Sequence, residues 1–128
     1  MATIHQARNS VVSLIYAYDL GTDDIQVLKE EFFDEKKIRN KQKIFADSLF
    51  NGILKNLDYI DKSILENSKG RTFAELGKIE KAVLRVGVYE IKFTSTDKAI
   101  VINEALELMK DFGIEEAIKF INAVLDSL

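Results

Sequence analysis

His5 is the only histidine in this chain, and cysteine is absent. Covalent catalysis at a hydroxyl or thiol needs a base beside the nucleophile, and a chain with one imidazole and no thiol offers no such pairing. Its six glycines form neither a Gly-x-Ser-x-Gly elbow nor a glycine-rich phosphate loop. Zinc would have to be held mainly by carboxylates. A carboxylate-bridged metal pair in a helical bundle needs Glu-x-x-His, which is missing. The acidic pairs Glu30-Glu31, Glu104/Glu107 and Glu115-Glu116 read as solvated helix charges. No enzymatic activity, metal or cofactor is expected.

Recognition is the chemistry that remains. His5, Gln6 and Arg8 fall at the start of a helix, where the positive helix end and side-chain donors can meet a phosphate. An ordinary solvent-facing helix start is the competing reading. The segment Lys36 to Lys43 holds five Lys or Arg in eight residues and could add cations, although a solvated loop and helix start is the better reading. The whole chain argues against strong unaided binding to a polyanion. Its 18 basic and 21 acidic residues leave a net charge of −3, and neither half is basic: residues 1–64 carry nine against ten, residues 65–128 nine against eleven. Because counterion release from phosphates drives non-specific affinity, a nucleic-acid role needs a local patch or a basic partner.

The elements that must position these residues are helices. The sequence has no proline, is 47% hydrophobic and 30% charged, and is rich in Lys, Glu, Leu, Ile and Ala. Thr3 with Gln6 fits a capping box, and Ile4, Ala7, Val11, Leu14, Ile15 and Tyr18 repeat at helical spacing until Gly21. Asp23 or Asp24 could cap a second helix with Ile25, Leu28 and Phe32 on one face. Ile44, Phe45, Leu49, Ile53 and Leu57 predict a third, broken near Asn56 or Asp58, and Ile60, Ile64 and Leu65 a short fourth. After the Ser68-Lys69-Gly70 loop, Thr72 with Glu75 is a second capping-box pattern. A helix from Ile79 to Phe93 is apolar over so much of its surface that it must be central, with Gly87 allowing a close neighbour. Val101, Ala105, Leu108, Met109 and Phe112 give the next helix, closed by Gly113. Ala117, Phe120, Ile121, Val124, Leu125 and Leu128 give the last, with Glu115 and Glu116 in its first turn. The expectation is an all-α bundle of about seven helices in one domain, 1–128, made of two packed halves at about 1–68 and 71–128. With no basic leader before an apolar run and no window of about 18 apolar residues, the chain is expected to be soluble and cytoplasmic, without membrane contact.

Three ordered segments carry a resemblance. Leu76-Gly77-Lys78-Ile79-Glu80-Lys81-Ala82-Val83-Leu84-Arg85-Val86-Gly87-Val88-Tyr89-Glu90 is followed by Val101 to Gly113, reading Val-Ile-Asn-Glu-Ala-Leu-Glu-Leu-Met-Lys-Asp-Phe-Gly, and by Lys119-Phe120-Ile121-Asn122-Ala123-Val124-Leu125-Asp126. Together with Ala7-Arg8 and Leu14-Ile15-Tyr16, they closely resemble the NusB family of bacterial transcription antitermination factors. The stretch from Gly21 to Lys69 matches only in its helical pattern.

The resemblance implies binding to the boxA element of a ribosomal RNA leader as a heterodimer with ribosomal protein NusE, and entry of that pair into the RNA polymerase antitermination complex. A basic partner fits the charge arithmetic. Family position makes His5, Gln6 and Arg8 amino-terminal RNA contacts. It also places Phe120 at the RNA surface, where it could stack on a base, with Glu116 and Lys119 as weaker neighbours; core packing is the alternative for Phe120. Tyr16 and Glu80 match positions in the NusE contact. Arg85, Asn103 and Glu104 also match the family signature, and read here as a buried polar network. The chain departs from the family pattern in lacking an arginine-rich stretch before the first helix, in reading Thr96-Asp97-Lys98 where proline is frequent, and in having Ala123 where glycine is frequent. Weak RNA affinity without a partner follows. A protein-interaction module with little RNA binding is the alternative, and self-association through the partner face stays open. RNA methyltransferases carry a similar helical domain, but 128 residues leave no room for the cofactor-binding domain they need.

Overall fold

Thr3 opens the first helix as a capping box requires: its hydroxyl accepts from the Gln6 amide at 3.1 Å, and the Gln6 side-chain oxygen accepts from the Thr3 amide at 2.8 Å. Helix α1 then runs Ile4–Asp19 and ends before Gly21, whose φ of 87° is the left-handed conformation glycine tolerates. The computed structural model describes residues 2–128, and among them the chain is all helical, with seven α-helices and no strand. The others are α2 (Ile25–Glu35), α3 (Asn40–Lys55), α4 (Leu57–Glu66), α5 (Lys78–Phe93), α6 (Lys98–Asp111) and α7 (Ile118–Asp126), with short 3₁₀ turns at Phe73–Glu75 and Glu115–Ala117.

Helix α5 is the hub. Every residue from Lys81 to Val88 is buried, and the helix packs against α1, α3 and α4 of the first half and α6 and α7 of the second. A helix covered on all sides has no polar face to spare, which is why its stripe reads as nearly continuous apolar sequence. Gly87 serves the close approach foreseen for it: a Cβ there would lie 2.9 Å from Leu125 Cδ2 on α7. The buried side chains form one core that runs without interruption from Ala7 and Val11 through Phe50 and Ile64 to Val83, Met109 and Ile121.

Four local expectations are corrected. Asp24 stands at the head of α2 but adopts φ 48° and makes no side-chain cap, so that helix begins without the carboxylate bond expected of Asp23 or Asp24. The Thr72–Glu75 box exists, yet it closes only the 3₁₀ turn, and α5 starts afresh after Gly77. Glu115 and Glu116 likewise sit in a 3₁₀ turn ahead of α7 rather than within it. Ile44 is 72% exposed and Leu65 41%, so neither shares the buried stripe assigned to it.

Candidate functional site

The amino-terminal turn of α1 is clamped to α5 and α6 by charge. The Arg8 guanidinium forms a two-pronged ion pair with Glu90, Nε to Oε1 at 2.8 Å and Nη2 to Oε2 at 2.9 Å, and its face lies 5.1 Å from the Phe45 ring centre. Both partners are buried. Burial opposes the Arg8 charge, but the Glu90 pair and the field of Glu104 outweigh it and raise its pKa. The reading of Arg8 as an exposed cation at the open helix end is therefore corrected. It lies one turn after the capped end with its side chain buried, and its Nε and Nη2 donors are committed to Glu90.

One turn earlier, His5 bridges two carboxylates of α6. Its Nδ1 lies 2.6 Å from Glu104 Oε2 and its Nε2 2.6 Å from Asp111 Oδ2. Two acceptors require two N–H donors, so this geometry belongs to the imidazolium. Partial burial works against that charge; the hydrogen bonds and the Coulomb field of the two acids prevail and raise the pKa above the ordinary histidine value. Asn9 adds a bond to Asp111 at 3.3 Å. His5, Gln6 and Asn9 share a surface depression of about 270 Å³ with Ser10, Asp111 and Lys36.

Phe120 lies elsewhere on the surface. It is half-buried against the core, and the Arg71 guanidinium lies 4.2 Å from its ring centre. Glu116 and Lys119 beside it are exposed. An unpaired base approaching Phe120 from that side would meet the flat guanidinium first, and that plane is itself a stacking surface.

Tyr16 and Glu80 flank a charged seam between α1 and α5. Asp19, one turn after Tyr16, receives the Lys78 ammonium at 3.2 Å and lies 3.4 Å from Lys81 Nζ. Arg85 forks onto Asp61 at 2.9 and 3.0 Å, and its Nη1 lies 3.4 Å from Asp19 as an ion-pair contact without hydrogen-bond geometry. Burial would push Asp19 up, but the Lys78 bond and the Arg85 and Lys81 charges hold its carboxyl below the usual range. Glu80, between these lysines in sequence, is half-buried and has no ion pair among the described residues; Tyr16 is half-buried against the core. Of the network assigned to Arg85, Asn103 and Glu104, only Arg85 is buried: Asn103 is exposed and Glu104 belongs to His5.

The partnerships that sequence reasoning missed all run through acceptors. Glu90, Glu104 and Asp111 lie 82, 99 and 106 positions from their partners, and no local pattern advertises such a pairing. A carboxylate inside the apolar stripe of α5 was the available signal for Glu90.

The NusB family model matches residues 5–128. The chain belongs to the NusB family. The transcription antitermination protein NusB of Aliarcobacter butzleri (strain RM4018) is 52% identical over 128 residues, covering 100% of this chain and 98% of that protein. The Campylobacter jejuni (strain RM1221) NusB is 50% identical, covering 100% and 96%. Among solved structures, NusB of T. maritima superposes with a TM-score of 0.88 at 29% identity, over 98% of this chain and 89% of that one. A crystal structure of antitermination factors NusB and NusE in complex with dsRNA contains a chain that superposes at 0.86 and 29% identity, over 96% and 92%. The NusB likeness thus extends through Gly21 to Lys69, where the sequence resemblance rested on helical pattern alone.

Proposed function

We propose that this chain is a non-enzymatic antitermination factor that binds a boxA-type ribosomal RNA leader jointly with ribosomal protein NusE, the pair joining RNA polymerase in the cytoplasm. The observation that carries this reading is the near full-length likeness to a chain in the complex of NusB and NusE with dsRNA. On this reading Gln6 and His5 contact RNA at the end of α1, Phe120 offers a stacking surface with Lys119 and Glu116 at its edge, and Tyr16 and Glu80 meet NusE. Glu80 supports the last assignment, being a half-buried carboxylate without an ion pair among the described residues, suited to a basic partner. Arg8 serves as a positioning residue that holds α1 on α5.

One observation favours the alternative of a protein-interaction module: with Arg8 turned inward, α1 presents no free arginine or lysine at its open end. Transcription with purified polymerase separates the two. With a boxA leader upstream of a terminator, adding the chain and NusE is expected to raise read-through, and scrambling boxA to abolish the gain. Read-through unchanged by the chain would contradict the proposal.

A further inference from the structure

The turn from α2 into α3 stands against the amino-terminal depression, and it is basic. Lys36 lines that depression together with His5, Gln6, Asn9, Ser10 and Asp111. Lys37, Arg39 and Lys41 follow it, all exposed and without an ion pair among the described residues, whereas Lys43 is held by Glu30 at 3.1 Å. The segment is no loose tether. Ile38 is buried in the core at 1% exposure, and the Ile38 amide donates to the Phe33 carbonyl at 2.9 Å, so the backbone that carries the flanking cations is anchored. The Lys36 ammonium lies 5.6 Å from the Phe32 ring centre, and its hydrogen-bond donors have no partner among the described residues.

Charge in the depression is otherwise spoken for. Asp111 is the acid on its wall, and the His5 imidazolium offsets it at 2.6 Å. Arg8, the cation expected there, is committed to Glu90. Lys36 is the lysine or arginine that the fold places on this wall, beside the neutral donors and acceptors of Gln6, Asn9 and Ser10. A cation next to side-chain amides and a hydroxyl suits a phosphodiester with its ribose and base edge.

We propose that Lys36, flanked by Lys37 and Arg39, supplies the phosphate contacts at the amino-terminal depression, so that the turn between α2 and α3 forms one wall of the RNA site. The inference rests on the RNA-binding reading above. Its test measures the affinity of the NusE-loaded chain for a labelled single-stranded boxA RNA across a salt series. Three proteins are compared: wild type, the triple variant Lys36→Ala/Lys37→Ala/Arg39→Ala, and a control, Lys55→Ala/Lys62→Ala/Lys92→Ala, which removes three exposed lysines outside this turn and reaches the same net charge. Each lost phosphate contact flattens the slope of log affinity against log salt by about 0.7 for single strands. The triple variant is expected to lose between about 0.7 and 2 units of slope, with unchanged melting temperature and NusE affinity, and the control to lose much less. Equal losses in both variants would assign the effect to net charge and overturn the proposal, as would an unchanged slope in the triple variant while wild type binds. Wild type failing to bind RNA even with NusE would overturn the RNA-binding reading itself, and this inference with it. Displacement of the RNA from wild type by polyglutamate at matched charge concentration would show a generic acidic-ligand site and also overturn it.

Discussion

Arg8 on α1 and Glu90 on α5, 82 residues apart in sequence, meet in a buried two-pronged ion pair at 2.8 and 2.9 Å. Removing one member leaves the other charged and unpaired in the core. Arg8→Ala is therefore expected to cost about 3–5 kcal/mol, read as a fall in melting temperature and denaturant midpoint. The double variant Arg8→Met/Glu90→Leu, which removes both charges at similar volume, should be more stable than Arg8→Ala. A double variant no better than the single one would show that the pair contributes little beyond packing.

His5 makes the α1–α6 clamp sensitive to pH. Its folded-state pKa lies above the free-histidine value of 6.5, so its contribution is complete below that value and is lost as pH rises through the folded pKa. The stability difference between wild type and His5→Gln should shrink over that rise. NMR titration of the His5 ring should give a midpoint above 6.5. A midpoint at or below 6.5 would mean that Glu104 and Asp111 do not hold the ring in solution.

Gly52 on α3 faces Tyr89 on α5 so closely that a Cβ would clash with the tyrosine hydroxyl. Gly52→Ala should force the Tyr89 ring away from its stack with Phe93, whose ring centre lies 5.3 Å distant. The helix-propensity gain of about 1 kcal/mol offsets part of an overpacking cost of about 1–3 kcal/mol. Chemical denaturation should show a variant no more stable than wild type, with altered Tyr89 chemical shifts. A clear gain in stability with unchanged shifts would contradict the contact.

Glu80→Lys should impair NusE binding while leaving the isolated fold intact, because the side chain is only half-buried and has no ion pair among the described residues. Reversing a desolvated interface charge costs about 2–5 kcal/mol, roughly thirtyfold to several thousandfold in affinity. Tyr16→Asp should have a similar effect with a greater stability cost, since that ring packs on the core. Calorimetry giving wild-type affinity for both folded variants would place the partner surface elsewhere.

The helices were legible because their periodicity is local: Thr3 with Gln6, Gly21 and Gly113 punctuate α1 and α6 as their chemistry demands. The stripe of α5 announced its central place. Side-chain partnerships were not legible. Arg8 looked free because an arginine near a helix start is usually solvated, and nothing near it in sequence betrays Glu90. Lys36 is exposed as a solvated charge should be, but the depression it shares with Gln6 exists only after α1 and α2 have packed, so that neighbourhood was not legible. The turn geometry was equally hidden: Lys37 and Asn40 take φ of 58° and 57°, and lysine gives no warning of the left-handed region.

The most direct test of the account is titration of labelled boxA RNA, as a single strand and as a duplex, with the chain alone and with the chain bound to NusE at physiological salt. A net charge of −3 and an inward-facing Arg8 predict weak binding by the chain alone, and much tighter binding of the single strand once NusE is present. Superimposable curves with and without NusE, or no binding in either case, would contradict it.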